Sequence, residues 1–523
     1  MNNIQFFDGV PHLLPHLWVI FGIVIAALWN LFVPRMKHIT PIAAIVCLTA
    51  AAATYIGQFD AKTVRIFGEL YTADKLSIAI GLISVVVGAI VCLMTMGYER
   101  KFGPNRGEYY AILLTAIVSV QFLAGTTDLV MLFVALETLT ICCVLLTGMA
   151  KRDVRSNEAA LKYLLSTAAT TATFMYGLTF LYGLTGSTNF YEIQAKFYEV
   201  AQSPSLVAMM LIVLLISVVG FKLSMVPFHM WTPDVYEGAP TPVTAFLSVG
   251  SKLGGVAVAL RLLSVVFSST ANNWIPLVGI LAVLSMVAGN LIALRQTSVK
   301  RMLAYSSIAH VGYFLIALCA NTAPSLSALL FYVIVYGFMN LGAFTAAIMI
   351  ENELGTDNME NWSGLIRKRP WVVVAMTVCL LNLGGLPVPP AGFLAKFFVF
   401  YSGIQMFSTM GNILVAVGLL TSIPAVFYYA RVAIKMIVAE PSASVAALPD
   451  RRRPLPDSQL GPVLAMAISI FGIVFASTAV NPIMDFTSKA VSTLTPGQPV
   501  GALPSKDRSS VVGQVPDVTS STY

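Results

Sequence analysis

The chain has 523 residues, 57% of them hydrophobic and only 11% charged, with a mean hydropathy of +0.81. That balance excludes an ordinary soluble globule and defines a polytopic membrane protein. A net charge of +7 would suit a nucleic-acid binder, but the basic residues are scattered over short loops between apolar runs, so topology accounts for them and no nucleic-acid partner is expected.

Apolar runs of about 20 residues predict fourteen spans, at 11–34, 40–60, 73–97, 108–125, 127–149, 157–184, 204–229, 240–267, 272–295, 300–320, 326–351, 370–403, 410–439 and 460–480. The first is too long for a signal-peptide core and no small-residue cleavage site follows it, so it reads as a retained helix. His12, His16 and His38 stand at span ends, where interface anchoring is the expectation. In the fifth span Asp128 lies at the mouth and Glu137 ten residues inside. An ionised group at that depth costs from about 3 to more than 10 kcal/mol, so such residues face a protein interior or a water-filled path. The plainer alternative for Glu137 is a neutral carboxyl bonded to a neighbouring helix. The stretch 188–202, with Glu192, Lys196 and Glu199 among aromatics, predicts a short interfacial helix.

The seventh span carries Lys222 five residues before Pro227, and the eighth carries Lys252 near mid-depth. A lysine can snorkel along its own stem to the interface, but these two are too deep for that to be the better reading. A buried lysine can load and release a proton, which a permanently charged arginine cannot do. His229 reads as a cap or loop anchor, Arg261 as an outer anchor, and the pair Gly254-Gly255 as a packing site. His310 falls mid-span in the tenth helix, where it is either a relay with two usable nitrogens or a satisfied core histidine. The twelfth span holds Gly384-Gly385-Leu386-Pro387-Val388-Pro389-Pro390 just before Lys396. Proline removes a backbone donor and kinks a helix, and freed carbonyls at membrane depth are tolerated only in a protein-lined or wet cavity. The seventh and twelfth spans are therefore predicted to be broken helices. Arg451-Arg452-Arg453 reads as an anchor against anionic lipid.

The breaks lie five spans apart, lysine before proline in one and after it in the other, which is the mark of an inverted repeat. The expected fold is an all-α polytopic membrane protein of about fourteen transmembrane helices with two inverted five-helix repeats and two broken helices. Residues 1–107 would be flanking helices 1–3, 108–267 the first repeat (helices 4–8), 268–439 the second (helices 9–13), 440–459 a cytoplasmic loop, 460–480 helix 14 and 481–523 a polar tail. Twenty of the thirty-one Lys and Arg residues fall in loops after odd-numbered spans, among them Arg35, Lys37, Arg100, Lys101 and Arg367 to Arg369. The bias places both termini on the non-cytoplasmic side. The cysteines, Cys47, Cys92, Cys142, Cys143, Cys319 and Cys379, all lie in apolar spans without CxxC spacing and read as packing residues, and no iron–sulfur, haem or zinc pattern is visible.

The run Val226-Pro227-Phe228-His229-Met230-Trp231-Thr232-Pro233-Asp234-Val235-Tyr236-Glu237-Gly238, followed by Pro240-Thr241-Pro242-Val243 and Phe246-Leu247-Ser248-Val249-Gly250-Ser251-Lys252, closely resembles the antiporter-like membrane subunits of proton-pumping NADH:quinone oxidoreductase (respiratory complex I, NDH-1), and among them the subunit N family. The run from Arg301 to Tyr313 and Asn340-Leu341-Gly342-Ala343-Phe344 extend the likeness over roughly residues 70 to 435. One departure is the extra residue and third proline before Lys396, where the family reads G-G-I-P-P-L-A-G-F. Length favours subunit N over the larger paralogue with its long lateral helix.

The resemblance implies a proton-translocating translocase subunit in a bacterial inner membrane, driven by quinone chemistry elsewhere. This chain alone would carry no cofactor; FMN, iron–sulfur clusters and quinone are expected in partner subunits, both membrane and peripheral. It implies a relay of Glu137, Lys222, Lys252, His310 and Lys396, in which Glu137 and Lys222 form a coupled switch. Two rivals stand beside it: an Mrp-type cation/proton antiporter using the same charges for sodium exchange, and a structural membrane scaffold with vestigial charges.

Overall fold

The computed structural model describes residues 9–32, 39–96, 98, 102, 106–201, 206–449 and 459–494. Arg35, Lys37, His38, Arg100, Lys101, the Arg451-Arg452-Arg453 run and the tail from 495, with Lys506 and Arg508, lie outside the described residues.

The chain forms helices α1 (Leu14–Phe32), α2 (Ile39–Gln58), α3 (Lys75–Met96), α4 (Arg106–Gly125), α5 (Leu129–Thr147), α6 (Val154–Thr185), α7 (Phe190–Ala201), α8 (Leu206–Leu223), α9 (Trp231–Gly238) and α10 (Thr241–Val266), with a small hairpin of β1 (Val64–Ile66) and β2 (Tyr71–Ala73) before α3. There follow α11 (Ala271–Ala293), α12 (Val299–Ala320), α13 (Ala323–Leu354), α14 (Pro370–Gly384), α15 (Ala391–Ile404), α16 (Thr409–Ile437), α17 (Ala443–Ala446), α18 (Leu460–Thr478) and α19 (Val480–Val491). Among the described residues thirteen helices are long and apolar enough to cross a membrane, and the shorter pair α14 and α15 occupies the place of the predicted twelfth span. The protein is thus a multi-pass integral membrane protein.

Polar residues at the helix ends start and stop the spans. The Asp128 carboxylate accepts from the backbone of Val130 and Met131 and caps α5, Ser298 caps α12, and Thr322 with Ser325 forms a reciprocal capping box on α13. Gly186 and Gly355 end α6 and α13 in the left-handed conformation.

Burial separates the helices into two kinds. α10 and α12 are buried along 100% and 94% of their apolar windows, whereas α1 and α6 reach only 28% and turn exposed Leu and Phe side chains outward. A helix apolar on all sides and buried on all sides is an interior pillar, and the charged residues of the spans stand on or against these pillars. α11 lies on α12 with backbone near backbone: a Cβ on Gly289 would stand 2.6 Å from the amide nitrogen of Ala309.

Several features differ from the sequence expectation. The seventh span ends at Leu223 rather than 229; its remainder is a turn, and α9 starts beyond it at Trp231. The β1–β2 hairpin, with Val64 opposite Ala73, had no clear alternation to announce it; Thr127 fastens it to the α4–α5 turn by donating to the carbonyl of Glu69 at 2.6 Å. Part of the expected polar tail, Val480–Val491, is an amphipathic helix that buries Thr487, Ala490 and Val491. α7 falls where an interfacial helix was predicted and buries Phe190, Ile193 and Phe197.

Candidate functional site

Glu137 stands mid-way along α5 and is only partly buried, where its Oε1 accepts a hydrogen bond of 2.8 Å from the Thr171 hydroxyl of α6. One turn further along α5, Thr140 receives a hydrogen bond from the Lys222 ammonium, while its own hydroxyl donates to the carbonyl of Leu136 at 2.7 Å. Lys222 is 3% exposed. Lys222 is thus held by Thr140 and Glu137 by Thr171, and the two charges form no direct ion pair.

Lys222 sits in the last turn of α8 because the helix cannot continue. Ser224 adopts a positive φ of 65° and Pro227 has no amide hydrogen to offer. The carbonyls released by the break are taken up internally: Met225 N donates to Gly220 O at 2.7 Å and the Trp231 indole to Phe221 O at 3.2 Å. The negative end of the α8 dipole favours a cation in this last turn.

α8 touches α10 where the Lys222 Cβ lies 3.3 Å from the position a Cβ on Gly255 would take, one turn beyond Lys252. Lys252 is 2% exposed and follows a π-helical turn, Leu247–Ser251. Such turns leave the regular α ladder and often accompany functional residues. The Lys252 ammonium donates to the carbonyl and the hydroxyl of Ser307, at 2.8 and 3.0 Å, so it is held by neutral oxygens of α12.

One turn on from Ser307, His310 is 2% exposed and has a phenol at each ring nitrogen, Tyr332 at 2.9 Å from Nδ1 and Tyr429 at 3.3 Å from Nε2. Tyr429 is also hydrogen-bonded to Ser306. This satisfies a core histidine and equally gives a relay two exchangeable partners; both readings set out for His310 meet in the same geometry.

Lys396 belongs to the second broken helix and is 6% exposed. Its ammonium donates to the carbonyl of Gly384 at 2.9 Å, at the C-terminal end of α14, and lies 5.0 Å from the centre of the Tyr313 ring. Gly385 turns the chain with φ +87°, and a Cβ there would stand 3.0 to 3.2 Å from the Lys396 side chain. Only glycine combines that conformation with that approach. Val388 is 75% exposed, and the backbone of Ala391 is pinned by Ser477 of α18 at 3.1 Å.

The four buried residues among the five each meet a hydroxyl or carbonyl oxygen inside the bundle, Glu137 is held by Thr171, and none of the five is hydrogen-bonded to another. Sequence reasoning missed Thr140, Thr171, Ser307, Tyr332 and Tyr429. Thr140 and Ser307 stand three residues from Glu137 and His310 on the same helix faces and were legible by helical spacing. Tyr332 and Tyr429 are remote in sequence and were not.

Two expectations are corrected. Arg261 is no outer anchor: it is 2% exposed and bridges Asp74 at 2.7 Å, with its Nε donating to Ala124 O at 2.9 Å. The α10 helix buries this position against α3 and α4, where a guanidinium is stable only when paired. His16 is no interface anchor either. It is 1% exposed, with its ring against Phe122 and Tyr71 at 4.9 and 5.3 Å between centres, because the hairpin covers that end of α1.

An all-α membrane bundle whose two interrupted helices each hold a buried lysine against a helix C-terminus defines the antiporter-like class of membrane subunit. The family model described as "NADH:quinone oxidoreductase/Mrp antiporter, TM" matches residues 126–423. Among curated relatives, NAD(P)H-quinone oxidoreductase subunit 2 of Gloeothece citriformis is 43% identical over 484 residues, covering 91% of this chain and 92% of its own. The same subunit of Thermosynechococcus vestitus is 44% identical over 493 residues, covering 92% of each. The chain belongs to the NADH:quinone oxidoreductase/Mrp antiporter membrane family. Among solved structures it is similar to a chain of respiratory complex I from Thermus thermophilus (TM-score 0.73, 27% identity, covering 91% of this chain and 99% of that one). A chain of the Mrp complex from Dietzia shares the fold alone, with a TM-score of 0.79 at 18% identity over 93% of this chain and 98% of that one.

Proposed function

We propose that this chain is a proton-translocating membrane subunit of an NAD(P)H:quinone oxidoreductase complex, embedded in a bacterial inner membrane among other membrane and peripheral subunits and the surrounding lipid. Electron transfer to quinone takes place in those partners, which hold the FMN and iron–sulfur clusters, and this chain couples it to proton movement. The observation that carries the reading is the set of buried lysines 222, 252 and 396, each held by neutral oxygen atoms inside the bundle. At Lys252 and Lys396, an ammonium so placed can give up its proton without leaving an unpaired carboxylate behind, as a structural ion pair would.

Protons pass from the cytoplasmic side near the α8 break along Glu137, Lys222, Lys252, His310 and Lys396, and leave on the opposite side, where both termini lie. The mirrored breaks support two inverted repeats over 108–267 and 268–439. The Mrp-type reading shares the fold, but relatives above 40% identity over most of the chain carry the quinone oxidoreductase name.

Lys222→Met and Lys396→Met in the assembled complex test this. Each is expected to lower proton pumping and slow quinone reduction together, with Lys→Arg a poor rescue because arginine does not release its proton. Normal pumping in either variant, with assembly verified, removes that lysine from the route. Sodium-dependent transport without quinone reduction would establish the antiporter instead.

A further inference from the structure

Between α5, α6 and α8 lies a cavity of about 10 Å³ lined by Glu137, Thr140, Thr167, Thr171, Phe174 and Lys222. That is about the room one water needs, and a water is stable where two to four polar groups meet it. Thr140 and Thr171 already hold one charge each: the Lys222 ammonium donates to Thr140, and Thr171 donates to Glu137. Thr167 and Thr170 are turned back onto their own helix, donating to Leu164 O and Ser166 O at 2.8 and 3.0 Å. The chemistry therefore converges on Thr140 and Thr171.

The geometry points to a relay in which the Thr140 hydroxyl and a single water in this cavity carry the proton between Lys222 and Glu137, with Thr171 positioning the carboxylate. This rests on the proposed role of Glu137 and Lys222 and adds how they communicate. A threonine hydroxyl has one proton to donate and two lone pairs, and its hydrogen rotates to suit. Turned from Leu136 O toward the cavity, the Thr140 hydrogen passes to the water as the Lys222 proton arrives on its oxygen. The water's own hydrogen goes to the free oxygen of Glu137. The ammonium becomes an amine, the carboxylate a carboxylic acid, Thr140 and the water are restored, and no net charge moves into the site. A chain of hydrogen bonds that is polarised in a low-dielectric interior favours such a step.

Thr140→Val keeps the shape and removes the hydroxyl. In sealed membrane vesicles containing the assembled complex, it is expected to lower proton pumping about a hundredfold, the lower end for losing a positioned proton-transfer group. Thr140→Ser should restore most of it, and Thr138→Val, whose hydroxyl is bonded to Val134 O away from the cavity, should leave pumping unchanged. Thr171→Val should also lower pumping and be rescued by Ser, with the larger effect in D2O that a proton step shows. A density map of the complex is the second measurement and does not depend on any variant assembling: a water among Thr140, Thr171 and Glu137 is expected. Unaltered pumping in Thr140→Val, while Lys222→Met is silent, overturns the relay and leaves the lysine's role standing. Direct contact of Glu137 with Lys222 in the map also overturns it. Full pumping in Lys222→Met instead sinks the underlying reading.

Discussion

Removing Glu137 and Lys222 singly and together measures whether they act as a unit. Glu137→Gln strips the charge while its amide oxygen still accepts from Thr171, and Lys222→Met keeps the length of the stem. With one hydroxyl and one water between them and hydrogen bonds of about 2.8 Å, the charges stand on the order of 6 to 8 Å apart. At an effective dielectric of about 20 that separation corresponds to an interaction of about 2 kcal/mol, or about thirtyfold in a rate that depends on it. Each single variant strands the other group in a site that no longer balances it. The double variant should therefore be about thirtyfold less impaired than the product of the singles. The assay is initial proton pumping in sealed vesicles, at matched assembly and with quinone reduction followed in parallel. Singles whose effects simply multiply would show that the two residues do not interact, and the switch would have to be given up even if each proved essential.

Asp74→Asn should destabilise the chain by about 3 to 5 kcal/mol, because it leaves the buried Arg261 guanidinium without its counter-charge; thermal inactivation of the purified complex checks this, and an unchanged midpoint would show that Ala124 O and solvent suffice. A cysteine placed in the 500–520 tail is expected to react with a membrane-impermeant thiol reagent in intact spheroplasts, since twenty of the thirty-one basic residues fall in loops after odd-numbered spans and the positive-inside bias would put the tail on the opposite, non-cytoplasmic side. Labelling only after lysis would reverse the topology.

The amino-acid sequence by itself determined the membrane class, the number of spans, the places where helices break and the deep charges, because each follows from local composition. Runs of apolar residues, prolines beside lysines at 222 and 396, and caps such as Asp128 act over a few residues and need no distant partner. Only the tertiary structure decided what each charge meets. Arg261 looked like an interface residue until Asp74, 187 positions away, was brought to it, and His16 looked like an anchor until the hairpin and α4 closed over it. Lys252 finds Ser307, and His310 finds Tyr429, through helix packing that no local pattern encodes. The physical reason is that depth in the bilayer is set along the chain, one residue per 1.5 Å of helix. Pairing is set across helices, by which faces the small residues and the breaks allow to come together.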